Sequence, residues 1–284
     1  MHVTLESTAG VSTSFCLARI GVTPPVGRTT GCRFATCAAV LMALLLVPRS
    51  ALSASKPCAT SLGKCPLRGC AKAGSPNALS NSIKRTGNLG GEAIRLTFKD
   101  FSRLQERVEQ RFGGDYATLT KPDRLRLRNL TTVGENSVGE GDYVEVVGYI
   151  AVQPATSKPH ANKSGESVNC RLKGTVHNDF HISITPQPGS EYGGIVVEMI
   201  PQDRVDTWTE GRLRRVQVAE HPVRVRGQLL FDNHHKVNDD PKHLQGGQPK
   251  RFSLWEIHPV VEFAVCDKAN CTEAQWTELE KWEG

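Results

Sequence analysis

The chain has 284 residues, of which 38% are hydrophobic and 23% charged, and its 35 Lys and Arg residues exceed its 29 Asp and Glu residues by six. This composition excludes a disordered polyelectrolyte, a collagen and a protein with many membrane spans, and the length is sufficient for one or two domains with a sizeable core. The charge excess is too small to indicate a polyanionic partner by itself.

Residues 1–55 are predicted to be a leader. Phe34–Val47 is an uncharged run of 14 residues that follows Arg28 and Arg33 and precedes a stretch of small residues, which is the layout of a signal peptide. The run is shorter than the roughly 20 residues of a membrane-spanning helix, so an uncleaved anchor is the less favoured interpretation. The part before the run is long for a signal peptide, which predicts a start further downstream. We therefore expect a periplasmic or secreted protein.

The cysteines also favour export. Three lie in the leader, and the even number that remains favours disulfides over a metal site: Cys58, Cys65, Cys70, Cys170, Cys266 and Cys271. We predict that Cys266 pairs with Cys271, since this pair closes a short turn after the last predicted strand. Residues 56–91 are rich in Ser, Gly, Pro and Asn and are predicted to be a flexible linker. A loop closed by Cys65 and Cys70 is one option for this linker.

Residues 92–138 are predicted to form a helical segment. Thr97 followed by Asp100 is a helix-start pattern, and apolar residues then recur every three or four positions until Gly113. A second, shorter helix is expected to begin at Pro122 and to run through Leu127 and Leu130.

Residues 139–271 show the period of two that is typical of strands. Five strands are predicted: Tyr143–Ala151, Asn178–Thr185, Ile195–Ile200, Val223–Phe231 and Ser253–Val265. The capping pattern of Thr207 and Glu210 predicts a helix between the third and fourth strands. Pro259, inside the fifth strand, requires an edge position or a bulge. A short amphipathic helix that docks back on the barrel is expected over residues 272–284.

Three strands, a helix and two strands is the element order of an OB-fold, a five-stranded Greek-key barrel. Residues 139–271 resemble an OB-fold module by this order and by two long connections, residues 152–177 and 232–252. The segments FDNHH and RFSLWEIHPV are similar to a segment of uncharacterised bacterial proteins, which implies no activity. The predicted fold class is therefore a β-rich α+β protein with an OB-like barrel, preceded by a short helical segment. A small up-and-down barrel is the alternative.

Carboxylates and imidazoles are predicted to share the outer face of this barrel, because strand alternation assigns the apolar residues to its core. The residues assigned to the core are Phe180, Ile182, Ile184, Val223, Val225, Leu229, Phe231, Trp255 and Ile257. Residues two apart on a strand point the same way, which gives three pairs: Asp179 with His181, Asp232 with His234, and Glu256 with His258. A hairpin between the fourth and fifth strands would bring Asp232 close to Glu256. The alternative is a solvated polar face on which these groups simply pair with one another.

These residues define the candidate sites. Mixed imidazole and carboxylate ligands suit a divalent metal such as Zn, Mn or Ca, and the candidate ligands are Asp179, His181, His234 and His258. The candidate catalytic bases are Asp232 and Glu256, by analogy with OB-fold nucleases that resemble staphylococcal nuclease. The candidate contacts for an anionic ligand are Arg224, Arg226, Lys236 and Arg251.

Ligand binding is the function that the sequence alone favours. The two long connections carry Lys and His residues that would attract an anion, but few exposed aromatic side chains are expected, so nucleic acid is permitted rather than indicated. We expect an exported OB-fold-like binding protein whose ligand is anionic or metal-linked. A metal-dependent phosphodiesterase or nuclease is the alternative. Outside the leader, no membrane span is predicted.

Overall fold

The computed structural model describes residues 56–86, 90–152, 160–161, 165–245 and 248–284, all of which belong to one unit, Ala54–Gly284. The predicted leader lies outside these residues. The helices of the described part are α1 (Pro76–Lys84), α2 (Phe98–Phe112), α3 (Lys121–Leu125) and α4 (Glu210–Val218). Its strands are β1 (Ile94–Leu96), β2 (Thr131–Val133), β3 (Asn136–Val138), β4 (Tyr143–Ile150), β5 (His160–Ala161), β6 (Phe180–Thr185), β7 (Ile195–Met199), β8 (Pro222–Phe231), β9 (Trp255–Val265) and β10 (Thr277–Glu278).

The main sheet follows the order β1-β4-β8-β9-β7-β6-β5, and β4 pairs in addition with β6. The pairings therefore lead from β4 through β8, β9, β7 and β6 back to β4. Within this path only β7 and β9 are parallel. Strand β10 pairs with β9, and β2 and β3 form a separate hairpin. The predicted strand-rich α+β class is confirmed, and α4 lies between β7 and β8 as the sequence predicts.

Helix α2 begins where the sequence predicts. The Thr97 hydroxyl accepts a hydrogen bond from the Asp100 N–H at 3.3 Å, and Asp100 Oδ2 accepts one from the Thr97 N–H at 2.8 Å. This capping box satisfies two backbone donors that a helix start leaves free. The helix ends at Gly113, which has a left-handed φ of 59°. Helix α3 is shorter than expected, but it carries Pro122 in its first turn.

The main hydrophobic core fills the space between the paired strands. Strand alternation assigned one face of each strand to this core, and the assignment is confirmed for Phe180, Ile182, Ile184, Val223, Val225, Leu229, Phe231, Trp255 and Ile257. Pro259 lies in β9, which pairs with β8 along its length and with β7 at Ile257. The β8–β9 register shifts at Gly227, which is the bulge that the proline requires.

Residues 56–86, called the covering segment below, are more structured than the predicted flexible linker. They contain α1, which Ser75 caps by accepting a hydrogen bond from the Ala78 N–H. Local composition suggested a linker because this segment has few apolar residues. It is also held by residues far away in the sequence, since the Cys58 N–H donates to the Cys170 carbonyl at 3.1 Å and the Cys70 N–H to the Ser167 carbonyl at 2.9 Å.

Three cysteine pairs lie at disulfide-bonding distance. They are Cys58–Cys70, Cys65–Cys170 and Cys266–Cys271. The predicted Cys266–Cys271 pair is confirmed, whereas a loop closed by Cys65 and Cys70 is wrong because each bonds elsewhere. Such pairs indicate an oxidising environment.

The C-terminal stretch packs back on the sheet without the predicted helix. It consists of a 3-10 turn, Glu273–Gln275, followed by β10. Leu279 and Trp282 are buried in the main core, so the expected docking is confirmed although the secondary structure differs. Among the described residues, no helix has both the length and the apolar composition needed to cross a bilayer.

Candidate metal centre

Charged side chains collect on the sheet face opposite the main core. Asp179 precedes β6, Glu198 lies on β7, Asp232 follows β8, and Glu256 and His258 lie on β9. Side chains alternate along each strand, so the residues between the core positions point together to the other face. All five are at most 1% exposed. The predicted outer face is buried at these five positions, so the alternative of a solvated polar face is wrong for them.

The covering segment buries this face. Lys84, the last residue of α1, places its Nζ 3.6 Å from Glu256 Oε1 and 3.9 Å from Asp232 Oδ1. The Gln228 side chain, on the same face of β8, donates a hydrogen bond to the Ile83 carbonyl at 3.0 Å. Strand alternation could not reveal this cover because it comes from outside the predicted barrel.

Asp232 and Glu256 lie together, as the hairpin argument predicts. Arg251 Nη1 donates hydrogen bonds to Asp232 Oδ2 and Glu256 Oε2, both at 3.1 Å, and His235 Nδ1 also contacts Asp232 Oδ2. Burial alone would raise the pKa of the Asp232 carboxyl, but Lys84, His235 and Arg251 hold it well below its usual range. A carboxylate stabilised in this way is a weak general base.

Asp179, Glu198 and His258 form the second part of the cluster. His258 Nδ1 lies 2.9 Å from Glu198 Oε2 and 3.2 Å from Glu256 Oε1, and His258 Nε2 lies 3.6 Å from Asp179 Oδ2. One ligand-type atom from each of Asp179, Glu198 and His258 lies within 4.8 Å of the others. Within the described residues, neither His258 Nε2 nor Glu198 Oε1 has a hydrogen-bond partner, although both atoms are buried.

Asp179, Glu198 and His258 shift one another's pKa values. Burial would lower the pKa of the His258 imidazole, but Glu198 and the hydrogen bonds to Glu198 and Glu256 raise it to about 10. Burial would raise the pKa of Glu198, yet His181, His258 and Lys84 hold it well below its usual range. The pKa of Asp179 is raised, mainly by burial. A metal ion bound here would have to displace the His258 proton.

Polar residues of the connection before β6 surround Asp179. The Asn169 side-chain amide donates hydrogen bonds to Asp179 Oδ1 at 2.9 Å and to Glu166 Oε2 at 3.1 Å. His181 Nε2 lies 3.4 Å from Glu198 Oε1 and 3.5 Å from Glu166 Oε1. Asn169 directly precedes Cys170, so the disulfide to the covering segment is anchored beside the residue that orients Asp179.

Three of the four predicted metal ligands meet in this cluster. Asp179 and His258 face each other, and His181 contacts Glu198. His234 is exposed, and its hydrogen bond to the cluster in the described structure is made by its backbone N–H, to Asp232 Oδ1 at 3.2 Å. Strand alternation misplaced it because the residues after Phe231 form a turn.

Glu198, Glu166 and Lys84 belong to the cluster but were not predicted from the sequence. Glu198 is the single acid in the apolar run IVVEMI, and a buried charge in such a strand requires a partner, which was the available signal. Glu166 and Lys84 lie in stretches predicted to be a loop and a linker, where charged residues are ordinary.

Of the four residues predicted to bind an anion, Arg224 and Arg226 lie together beside Glu145, and Lys236 and Arg251 lie elsewhere. Arg224 Nη1 lies 2.6 Å from Glu273 Oε2, and Arg226 Nε lies 2.7 Å from Glu145 Oε2. Lys236 is exposed, and Arg251 belongs to the buried cluster.

Comparisons of the chain with family models, with curated proteins and with solved structures found no match. Its function is therefore inferred from the chemistry of the cluster.

Proposed function

We propose that this chain is an exported metal-binding protein whose ligand is a divalent cation held by Asp179, Glu198 and His258. The observation that carries the proposal is the convergence of three ligand-type side chains around two buried atoms, His258 Nε2 and Glu198 Oε1. In the described part of the chain these atoms have ion-pair contacts at 3.6 Å and 3.4 Å but no hydrogen bond. Buried polar atoms are nearly always paired. A cation between these side chains would satisfy both atoms.

The donor set favours zinc or manganese over calcium. One imidazole and two carboxylates suit Zn²⁺ and Mn²⁺, whereas Ca²⁺ prefers six to eight oxygen ligands. His258 Nδ1 lies 3.2 Å from Oε1 of Glu256, a carboxylate outside the proposed ligand set. A carboxylate at one ring nitrogen leaves the other nitrogen as the ligand atom and orients the ring.

The OB-like barrel and the export belong to the same proposal. A path of pairings that returns from β6 to β4, with α4 before the fourth of its five strands, supports an OB-like Greek-key barrel. The three cysteine pairs and the signal-peptide pattern of residues 34–47 support export.

The phosphodiesterase alternative has weaker support. A phosphodiester chain would have to reach the carboxylates of this face, which the covering segment buries. The arginines assigned to the phosphate, Arg224 and Arg226, are paired with carboxylates. A closed site of this kind suits a metal that is stored or that stabilises the fold.

The test is metal binding by the purified, oxidised protein. We expect one equivalent of Zn²⁺ or Mn²⁺ by calorimetry, and a stability gain of about 2.7 kcal/mol at a free metal concentration 100 times the dissociation constant. EDTA should reverse this gain. Asp179→Asn should weaken binding at least 100-fold, whereas Asp206→Asn, at an exposed position, should leave it unchanged. Absence of saturable binding, together with no EDTA effect, would refute the proposal.

A further inference from the structure

We infer that Lys84 determines the affinity of this metal centre, because the covering segment places its ammonium group beside the carboxylates as an internal cation that competes with the metal. This inference rests on the proposed function and adds to it the residue that tunes the site.

The geometry places Lys84 one side chain away from the ligands. Its Nζ lies 3.6 Å from Glu256 Oε1, and the same oxygen lies 3.2 Å from Nδ1 of the ligand His258. His258 Nδ1 in turn lies 2.9 Å from Glu198 Oε2. A continuous series of side-chain contacts therefore links the ammonium group through Glu256 to the ligands His258 and Glu198.

The Lys84 side chain stays protonated, and its charge acts on the carboxylates at short range. Burial would lower the pKa of the ammonium group, but Asp232 and Glu256, with smaller contributions from Glu198 and Asp179, outweigh burial and raise the pKa. The Lys84 side chain is 11% exposed, so solvent screens its field only weakly. Two of the three proposed ligands thus already interact with a positive charge.

Removal of this charge would leave an acidic site. Four buried carboxylates would then face Arg251 and the imidazoles of His258, His181 and His235. The carboxylates are those of Asp179, Glu198, Asp232 and Glu256. Unlike charges attract more strongly in a buried site than in water. A divalent cation would offset this negative charge, so the affinity of the site for such a cation should rise.

Lys84 can be replaced without damage to the main core. The described members of that core lie between Leu96 and Trp282. The covering segment contributes instead to a separate small cluster, in which Cys65 packs with Cys170 and Leu172. A change at Lys84 therefore alters the charge at the site without a cavity in the core.

The test compares Zn²⁺ affinity among full-length oxidised variants, by competition with a fluorescent chelator. We expect Lys84→Met to lower the dissociation constant at least tenfold. Lys84→Arg keeps the charge and should stay within threefold of the wild type. Lys72→Met, an exposed position on the same segment, should have no effect. A Lys84→Met dissociation constant equal to that of the wild type would overturn the inference.

Three further outcomes are decisive. If Lys84→Met is unfolded without metal, excess Zn²⁺ should restore its folded circular dichroism spectrum, and persistent unfolding would count against the inference. If neither the wild type nor Lys84→Met binds Zn²⁺ or Mn²⁺, the proposed function itself fails. Binding by the wild type that is lost in Asp179→Asn but unchanged in Lys84→Met refutes only the role of Lys84.

Discussion

His258 and Glu198 face each other across two parallel strands, with His258 Nδ1 2.9 Å from Glu198 Oε2. Strands β9 and β7 are in register at Ile257 and Val197. The next residue on each strand points to the opposite face, so the imidazole and the carboxylate meet beneath the covering segment. Two central strands therefore fix the positions of both proposed ligands, and a site on strands is held more rigidly than one on loops.

Arg251 is predicted to be essential for stability. It is buried between Asp232 and Glu256, whose side chains are fully buried. Loss of one member of a buried ion pair costs about 3–5 kcal/mol because the other charges stay buried without compensation. We expect Arg251→Met to lower the free energy of unfolding in urea by this amount, and Arg214→Met, at an exposed position of α4, by less than about 0.5 kcal/mol. Equal stability of the two variants would contradict the assigned network.

The stability of the protein should fall in acid because of Asp232. Its pKa in the folded protein is depressed, since Lys84, His235 and Arg251 outweigh the effect of burial, whereas an unfolded Asp has a pKa of about 3.9. The unfolded state therefore takes up the proton first. The stabilisation is fully present above about pH 4 and is lost as the pH falls towards the folded pKa.

The measurement for Asp232 is urea unfolding at a series of pH values below about 5. We expect Asp232→Asn to give a shallower decline than the wild type over this range. Asp115→Asn, at an exposed position, controls for the loss of a carboxylate as such. Identical slopes for the wild type and Asp232→Asn would show that this carboxylate does not carry the pH dependence.

The disulfide to the covering segment should stabilise more than the C-terminal one. Cys65 and Cys170 are separated by 105 positions, and Cys266 and Cys271 by 5. The chain-entropy model assigns about 4.7 kcal/mol to a loop of 100 residues and about 2 kcal/mol to a loop of 5. Replacement of both cysteines by alanine should therefore cost more at the first pair, as measured by denaturant unfolding of oxidised protein. The reverse order would mean that the covering segment contributes little to stability.

Features that depend on the local periodicity of a strand could be predicted from the sequence. Contacts between distant parts of the chain could not. Alternation correctly separated the core residues Trp255 and Ile257 from Glu256 and His258, because a strand has the same period wherever it lies. It could not place Lys84 against Glu256, since that contact needs the covering segment to fold over the sheet. It misplaced His234 because alternation ends with the strand, at Phe231.

Gly227 allows β8 to pass close to the proline of β9. A Cβ added at Gly227 would lie 2.1 Å from the Pro259 carbonyl oxygen, which belongs to the backbone of a central strand and has little room to move. We expect Gly227→Ala to destabilise the protein by about 1–3 kcal/mol, as overpacking does. It should also weaken metal binding, because a shift of β9 at Pro259 displaces the adjacent ligand His258. Gly63→Ala has open space around its Cβ and is the matched control for both measurements. Wild-type stability of Gly227→Ala would show that the two strands can separate here without cost.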